Sequence, residues 1–295
     1  MNNPIESGSS RKLALISLMT ISMSMGIWAG QMQTAQAFSW LDLLRGGVQV
    51  FQGIQLSNMS DEDEMKLGSQ INEQLLRREF KLYRGDPALV DYVRQVGARV
   101  ATESDRDRIN YTFQIVEDEA INAFATAGGY IYVTTGLLET AENEAELAGV
   151  LGHEVGHVEG RHLINAMSRE AWRRGLLTAA GIDRNTAVQI GVELAMRRPG
   201  SRNNEYDADI RGLRIMRDAG YAEEGMVTFM QKLQAKSQGA PPTFLSTHPA
   251  TGDRVDFLKE NRLDSATGRA DGLDSDYYFR KTQALRRNSR SQQSR

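Results

Sequence analysis

The hydrophobic and polar positions along the chain predict a series of helices interrupted once by strands. Residues 60–83 read as a helix, with Ser60 as its cap and Asp61, Glu62 and Asp63 in the first turn, where the helix dipole favours acids. Gly85-Asp86-Pro87 marks a turn, and residues 87–103 form a second helix with Val90, Val93, Val96 and Val100 on one side. Residues 111–116 alternate like a strand. A second strand is expected within 122–134, where the segment 128–134 is rich in aromatic and β-branched residues. Residues 143–168 then read as one helix, opened by Asn143 with Glu146 three positions on, a variant of the capping box. Further helices are expected at 172–198, in two pieces broken at Gly181-Ile182-Asp183, and at 201–219, 223–237 and 253–260. Pro199-Gly200 and residues 239–242 read as breaks. The pattern as a whole is α+β, mainly helical with a small sheet.

Composition and charge narrow what such a fold does. The chain has 295 residues, 40% of them apolar, enough to bury one large core. A net charge of -3 is too mild to point to nucleic acid. The absence of cysteine excludes disulfides, thiol catalysis, cysteine metal ligands and a lipidated N-terminal cysteine. Arg11 and Lys12 precede an apolar run from about 13 to 30, and Ala35-Gln36-Ala37 then offers a small-x-small cleavage site before Phe38. Residues 1–37 are therefore expected to be a signal peptide, the alternative being a retained N-terminal anchor. Either way the body of the chain is expected outside the cytoplasm, periplasmic or secreted. Residues 38–59 read as an apolar helix and linker, 60–263 as the folded domain, and 264–295 as a polar tail. Its basic end, 286–295, is expected to be disordered and solvated. The apolar N-terminal segment and this basic end both offer a peripheral membrane contact.

The chemistry centres on His153-Glu154-Val155-Gly156-His157, an H-E-x-x-H motif. Residues four apart share a helix face, so His153 and His157 can aim two imidazoles at one zinc ion, with Glu154 beside it as general base. Only His153, His157, His162 and His248 are available as imidazole ligands. Gly149, Gly152, Gly156 and Gly160 weaken the helix by about 1 kcal/mol each relative to Ala, a cost that close approach of neighbouring backbone would explain. A catalytic zinc needs a third protein ligand. His162, five positions past His157, faces away on a continuous helix. Glu205 is the better candidate. Asp209, four residues on, can accept from the far nitrogen of a ligating His, while Asp207 points to another face and is expected to be solvated.

Four stretches extend the motif: Asn122 to Ala125 leading into Gly128 to Val133; Asn143 to His157; Glu205 to Asp209; and Ser246-Thr247-His248-Pro249 followed by Asp253-Arg254-Val255. In this order the sequence resembles the zinc metallopeptidase family that contains the HtpX protease and the CaaX prenyl endopeptidase, in the gluzincin group. The resemblance implies a zincin-type metalloprotease domain with one zinc per chain, held by His153, His157 and Glu205, and Glu154 as catalytic base. It implies that Gly128, Gly129, Tyr130, Ile131 and Tyr132 belong to an edge strand on which a polypeptide substrate lies. His248 has three readings: it approaches the zinc and holds the enzyme latent, it donates to the oxyanion, or it is structural. Arg254 either steadies an oxyanion or pairs with a carboxylate. Residues 169–200 are expected to form a helical flap near the cleft. The expected activity is zinc-dependent hydrolysis of misfolded or unassembled proteins outside the cytoplasm. The alternative is a chaperone or assembly factor whose zinc is latent or structural.

Overall fold

The computed structural model of the chain describes residues 54–178, 181–197, 201–237, 242–248, 252–262 and 271–293. The expected signal peptide, the apolar segment as far as 53, Pro199-Gly200 and residues 238–241 and 263–270 lie outside the described residues.

Local chemistry sets the first elements. The Oγ of Ser60 caps α1 (Asp61–Arg78) by accepting from the N–H of Asp63 at 3.1 Å. Asp86 caps α2 (Pro87–Ala101), with Pro87 in the first turn, where its missing N–H has no partner to lose. Three strands follow: β1 (Thr112–Val116), β2 (Ala123–Ala125) and β3 (Tyr130–Thr134). The stretch 122–134, expected as a single strand, is a hairpin. A 3₁₀ turn at Ala127–Gly129 divides it, and Gly128 and Gly129 take φ of 71° and 85°, where a side chain would be strained.

The strand order is β1-β3-β2, with β1 parallel and β2 antiparallel to β3. Strand alternation sends Phe113, Ile115, Ala123, Ala125, Ile131 and Val133 into one core. Val116, Phe124 and Tyr132 enter a second core on the opposite face, shared with Leu67, Ile71 and Leu75 of α1. The sheet is thus covered on both faces.

After α3 (Thr135–Thr140) comes α4 (Glu144–Glu159), which carries the H-E-x-x-H motif and is buried at every residue from Ala145 to Glu159. A helix apolar on all sides is stable only inside the protein. Here it lies between the sheet and α2 on one side and α7 (Arg202–Asp218) and α8 (Glu224–Lys236) on the other. The single helix expected over 143–168 is in fact two. It ends at Gly160, Arg161 adopts the left-handed conformation (φ 52°), and α5 (His162–Arg173) starts in a new direction. The Arg161 side chain fixes this break by donating to the Met59 carbonyl at 2.7 Å and to Glu64 at 3.1 Å.

The remaining elements are α6 (Arg184–Arg197), the short α9 (Thr243–Thr247), α10 (Gly252–Asn261) and α11 (Ser275–Gln293). Helix α11 lies in the segment read as a polar tail. Its Tyr278 is fully buried and donates to the Leu138 carbonyl at 2.8 Å.

Glycines let α4 and α7 meet backbone to backbone. A Cβ on Gly156 would lie 2.8 Å from the Ala208 carbonyl oxygen, and one on Gly212 would lie 3.1 Å from the His153 nitrogen. Of the glycines read as a sign of close approach, Gly152 and Gly156 serve this crossing, which presents α7 to the motif, while Gly149 lets α4 meet Met226 of α8.

Candidate metal centre

At that crossing His153 and His157 point their Nε2 atoms at a common place, 3.0 Å apart. Glu205, from the first turn of α7, puts its carboxylate oxygens 3.6 Å from each of them. Tetrahedral bonds of 2.0–2.1 Å to nitrogen place neighbouring donor atoms about 3.3 Å apart, so these spacings suit one small divalent ion. His248 joins the set: its donor atom and those of His153, His157 and Glu205 all lie within 4.8 Å of one another. All four residues are buried. Glu205 Oε1 is a buried carboxylate oxygen with no hydrogen-bond donor among the described residues. A buried anionic oxygen facing converging imidazole lone pairs is stabilised by a cation, so the donor set fits the expected metal.

The surroundings fix these groups. Asp209 Oδ1 accepts from His153 Nδ1 at 3.0 Å, so an ion bound at His153 Nε2 would take the place of the proton there. Burial alone would push the His153 imidazole down, but hydrogen bonds to Asp209 and Glu205 outweigh it and raise its pKa to about 9. Burial pushes Glu205 and Asp209 upward, and neighbouring cations hold both below the usual carboxylate range, His248, His153 and Arg254 for Glu205, His153 and Arg254 for Asp209. Arg254, 1% exposed, donates from Nε and Nη2 to Asp209 at 2.8 and 2.7 Å and from Nη1 to Glu205 at 3.0 Å. Of its two sequence readings, the structure shows the carboxylate pairing; the guanidinium lies behind the ligands.

His248 follows α9. Its Nε2 lies 3.3 Å from Glu154 Oε1, its Nδ1 lies 3.0 Å from Thr247 Oγ1, and its ring stacks on Phe244 at 4.4 Å. Glu154 is fully buried next to the metal-binding atoms.

Two expectations are corrected. Gly128 and Gly129 lie in the turn, and Tyr130, Ile131 and Tyr132 belong to β3, which is the central strand, paired on both sides. The edge strand on that side is β2, whose three residues are buried. Thr134 N donates to the Asn122 carbonyl and Thr126 N to the Tyr130 carbonyl, so alternate residues bond to β3 and the N–H and C=O groups of Ala123 and Ala125 point outward. Ala125 and Thr126 border a groove of about 680 Å³, open to solvent, that includes His157 and is lined on its far side by Leu163, Ala166 and Leu194. Of these, Leu194 comes from the region expected as a flap, and Leu163 and Ala166 from the helix that precedes it.

The second correction concerns His162 and Asp207. Because the helix breaks at Gly160, His162 turns back, and its Nδ1 lies 2.8 Å from His157 Nδ1. Its Nε2 lies 3.1 Å from Asp207 Oδ2, and Asp207 also accepts from Arg211 Nε at 2.7 Å. Asp207 is therefore engaged with the site and not merely solvated. The glycine at 160 was the one sequence signal for this turn.

The model of Peptidase family M48 matches residues 87–262, more than half of the chain and all of the residues just described from α2 to α10. The chain belongs to that family. Among its M48 relatives, the beta-barrel assembly-enhancing protease of Escherichia coli (strain K12) is 31% identical over 252 residues, covering 78% of this chain and 50% of the relative. The mitochondrial metalloendopeptidase OMA1 of Arabidopsis thaliana is 34% identical over 161 residues, 54% of this chain and 33% of the relative. The metalloprotease LoiP of Escherichia coli (strain K12) is 29% identical over 161 residues, 52% of this chain and 62% of the relative. The chain thus spans about half the length of the beta-barrel assembly-enhancing protease it matches.

Proposed function

We propose that the protein is a zinc-dependent endopeptidase that hydrolyses misfolded or unassembled polypeptides outside the cytoplasm. The observation that carries this reading is the buried Glu154, 3.3 Å from His248, in a cluster of converging donors of which His157, Glu205 and His248 line the groove beside Ala125 and Thr126. His153, His157 and Glu205 would hold the zinc. Bound there, zinc polarises the scissile carbonyl and brings the pKa of its water toward neutrality. Glu154 takes a proton from the attacking water and delivers it to the leaving amine. Ala125, at the groove, would hold the substrate chain extended through the N–H and C=O groups it turns away from β3. Asp209 and Arg254 act from behind, holding His153 and Glu205 in place.

His248 closes the set as a fourth donor and stands 3.3 Å from the base. This supports the latent reading, in which His248 leaves before a substrate is cut. The same closure also favours a second reading, an assembly factor with a structural ion, since structural sites present four protein ligands. A structural site has no use for Glu154.

Export rests on the Arg11-Lys12 pair, the apolar run and the Ala35-Gln36-Ala37 site. Among the described residues no helix is long and apolar enough to cross a membrane. The name of the beta-barrel assembly-enhancing protease supports substrates drawn from protein assembly.

The test is zinc analysis with a casein-cleavage assay on wild type and Glu154→Gln. The variant should keep its zinc and lose cleavage by about 10²–10⁴-fold, the usual worth of a general base. Cleavage at the wild-type rate by the Gln variant would leave the proposed mechanism without a base.

A further inference from the structure

The two ligand histidines of α4 are held by carboxylates of the same helix, α7, by different routes. Asp209 touches His153 directly at 3.0 Å. Asp207, two residues earlier, reaches His157 only through His162. We propose that His162 and Asp207 form a relay that fixes the tautomer and ring orientation of His157, so that its Nε2 lone pair faces the metal. This rests on the zinc reading above.

The proton assignment follows from counting donors. A neutral imidazole has one N–H and one lone pair. The two Nδ1 atoms of His157 and His162 are 2.8 Å apart, so one must donate and the other accept. A carboxylate only accepts, and Asp207 Oδ2 stands 3.1 Å from His162 Nε2. His162 therefore carries its proton on Nε2 and presents a lone pair at Nδ1. His157 must donate from Nδ1, which leaves its Nε2 bare. That is the atom 3.0 Å from His153 Nε2 and 3.6 Å from Glu205.

The backbone is shaped to this arrangement. Arg161 holds a left-handed φ of 52°, and that residue turns the chain so that His162 can face back. A Cβ at position 160 would lie 2.3 Å from His162 Nε2 and 2.8 Å from Asp207 Oδ2, so glycine is what leaves room for the contact. The His162 side chain is 11% exposed, and its ring meets that of His157 edge-on with centroids 4.9 Å apart. Asp207 is steadied from the other side by Arg211, which also donates to the buried Glu159 at 3.2 Å. The relay thus joins the ends of α4 and α5 to α7. His162 and Asp207 are positioning residues; neither reaches the groove's reacting atoms.

The test compares His162→Leu, His162→Gln and Asp207→Ala, all in the folded chain. Zinc affinity is read by competition with a chromophoric chelator, and ligand geometry by the visible absorption of the cobalt-substituted protein. His162→Leu should weaken zinc binding about 10–100-fold, the usual cost of losing a group that orients a ligating His, and alter the cobalt spectrum. His162→Gln should stay close to wild type, because its amide oxygen can accept from His157 Nδ1. Asp207→Ala should fall between them. Nitrogen-15 shifts of the zinc-free wild type should place the His157 proton on Nδ1. That reading needs no variant, so it stands even if His162→Leu fails to fold. The relay is wrong if the proton lies on Nε2, if His162→Leu binds zinc like wild type, or if His162→Gln is as weak as His162→Leu. A wild-type chain that binds no zinc overturns the zinc reading itself, whereas zinc held equally by wild type and His162→Leu overturns only the relay.

Discussion

The metal centre is assembled from two regions held in opposite ways. His153, Glu154, His157 and Glu205 stand on long helices, α4 and α7, pressed together where their glycines meet. Their outer atoms are tied by Asp209, Arg254 and His162. His248 comes instead from the end of the five-residue α9, whose Thr243 and Ser246 are exposed. That arm is joined to the sheet by the Phe244 N–H donating to the Ile121 carbonyl at 2.8 Å and by Thr247 Oγ1 donating to Asn122 at 3.3 Å. Donors that must stay fixed are on buried helices. On the latent reading, the donor that would leave is on a short segment, tied to the helices by Arg254 Nη1 donating to the His248 carbonyl at 3.4 Å and lying against the start of the edge strand. On that reading the arm and a substrate would compete for one place.

If this contrast is right, damage to the helical cage costs stability and damage to the arm changes activity. The largest effect is expected from Arg254→Met. It leaves Asp209 and Glu205 buried without their guanidinium partner, and breaking a buried ion pair costs about 3–5 kcal/mol. Urea unfolding of the zinc-free protein should show that loss. A drop below about 1 kcal/mol would mean that the cage does not depend on Arg254.

Gly156→Ala should cost less. The added methyl favours the helix by about 1 kcal/mol. It would, however, stand 2.8 Å from the Ala208 carbonyl oxygen and 3.1 Å from Arg211 Cβ. Overpacking of that kind costs about 1–3 kcal/mol, and backbone on the far side cannot rotate away, so crowding wins. The expected result is a lower melting temperature together with weaker zinc binding as α7 shifts. An unchanged melting temperature would show that the crossing is looser than the glycines imply.

These two cases also show which parts of the site could be read from sequence. The i, i+4 spacing of His153 and His157 and of Glu205 and Asp209 is a local property of a helix, so the meeting of those four residues in one cluster was legible. The α+β class, the motif helix and the caps at Ser60 and Asn143 were legible for the same reason. Which strand is central was not, because a hairpin's neighbours are chosen by tertiary packing, and the peptide edge was assigned to β3 instead of β2. His162 was set aside by assuming a continuous helix, an assumption undone by one left-handed residue, Arg161, held by contacts 97 and 102 residues away in sequence. Helix α9 is too short to leave a periodic pattern, so the approach of His248 to the ligands rested on family resemblance alone.

Within the arm, His248→Ala should leave the fold nearly intact, losing about 1 kcal/mol with the Phe244 stack. Casein cleavage should rise about tenfold, the gain from removing a closed state favoured about ten to one. A fall in cleavage would instead assign His248 to the oxyanion and sink latency.

The smallest effect, and the sharpest division between arm and cage, is expected from Thr247→Val. The hydroxyl of Thr247 touches both His248 Nδ1 at 3.0 Å and Asn122 Oδ1 at 3.3 Å, so it holds the ring in place and pins the arm to the strand. Valine keeps the shape and removes both contacts. A hydrogen bond is worth about 1 kcal/mol net, so the closed state should lose up to about fivefold in population. Cleavage should rise by no more than that, and the melting temperature should fall by less than in Gly156→Ala, because no bond of the α4–α7 cage has been touched. If Thr247→Val lowers the melting temperature as much as Gly156→Ala does, then the arm belongs to the cage, and the division between fixed and departing donors fails.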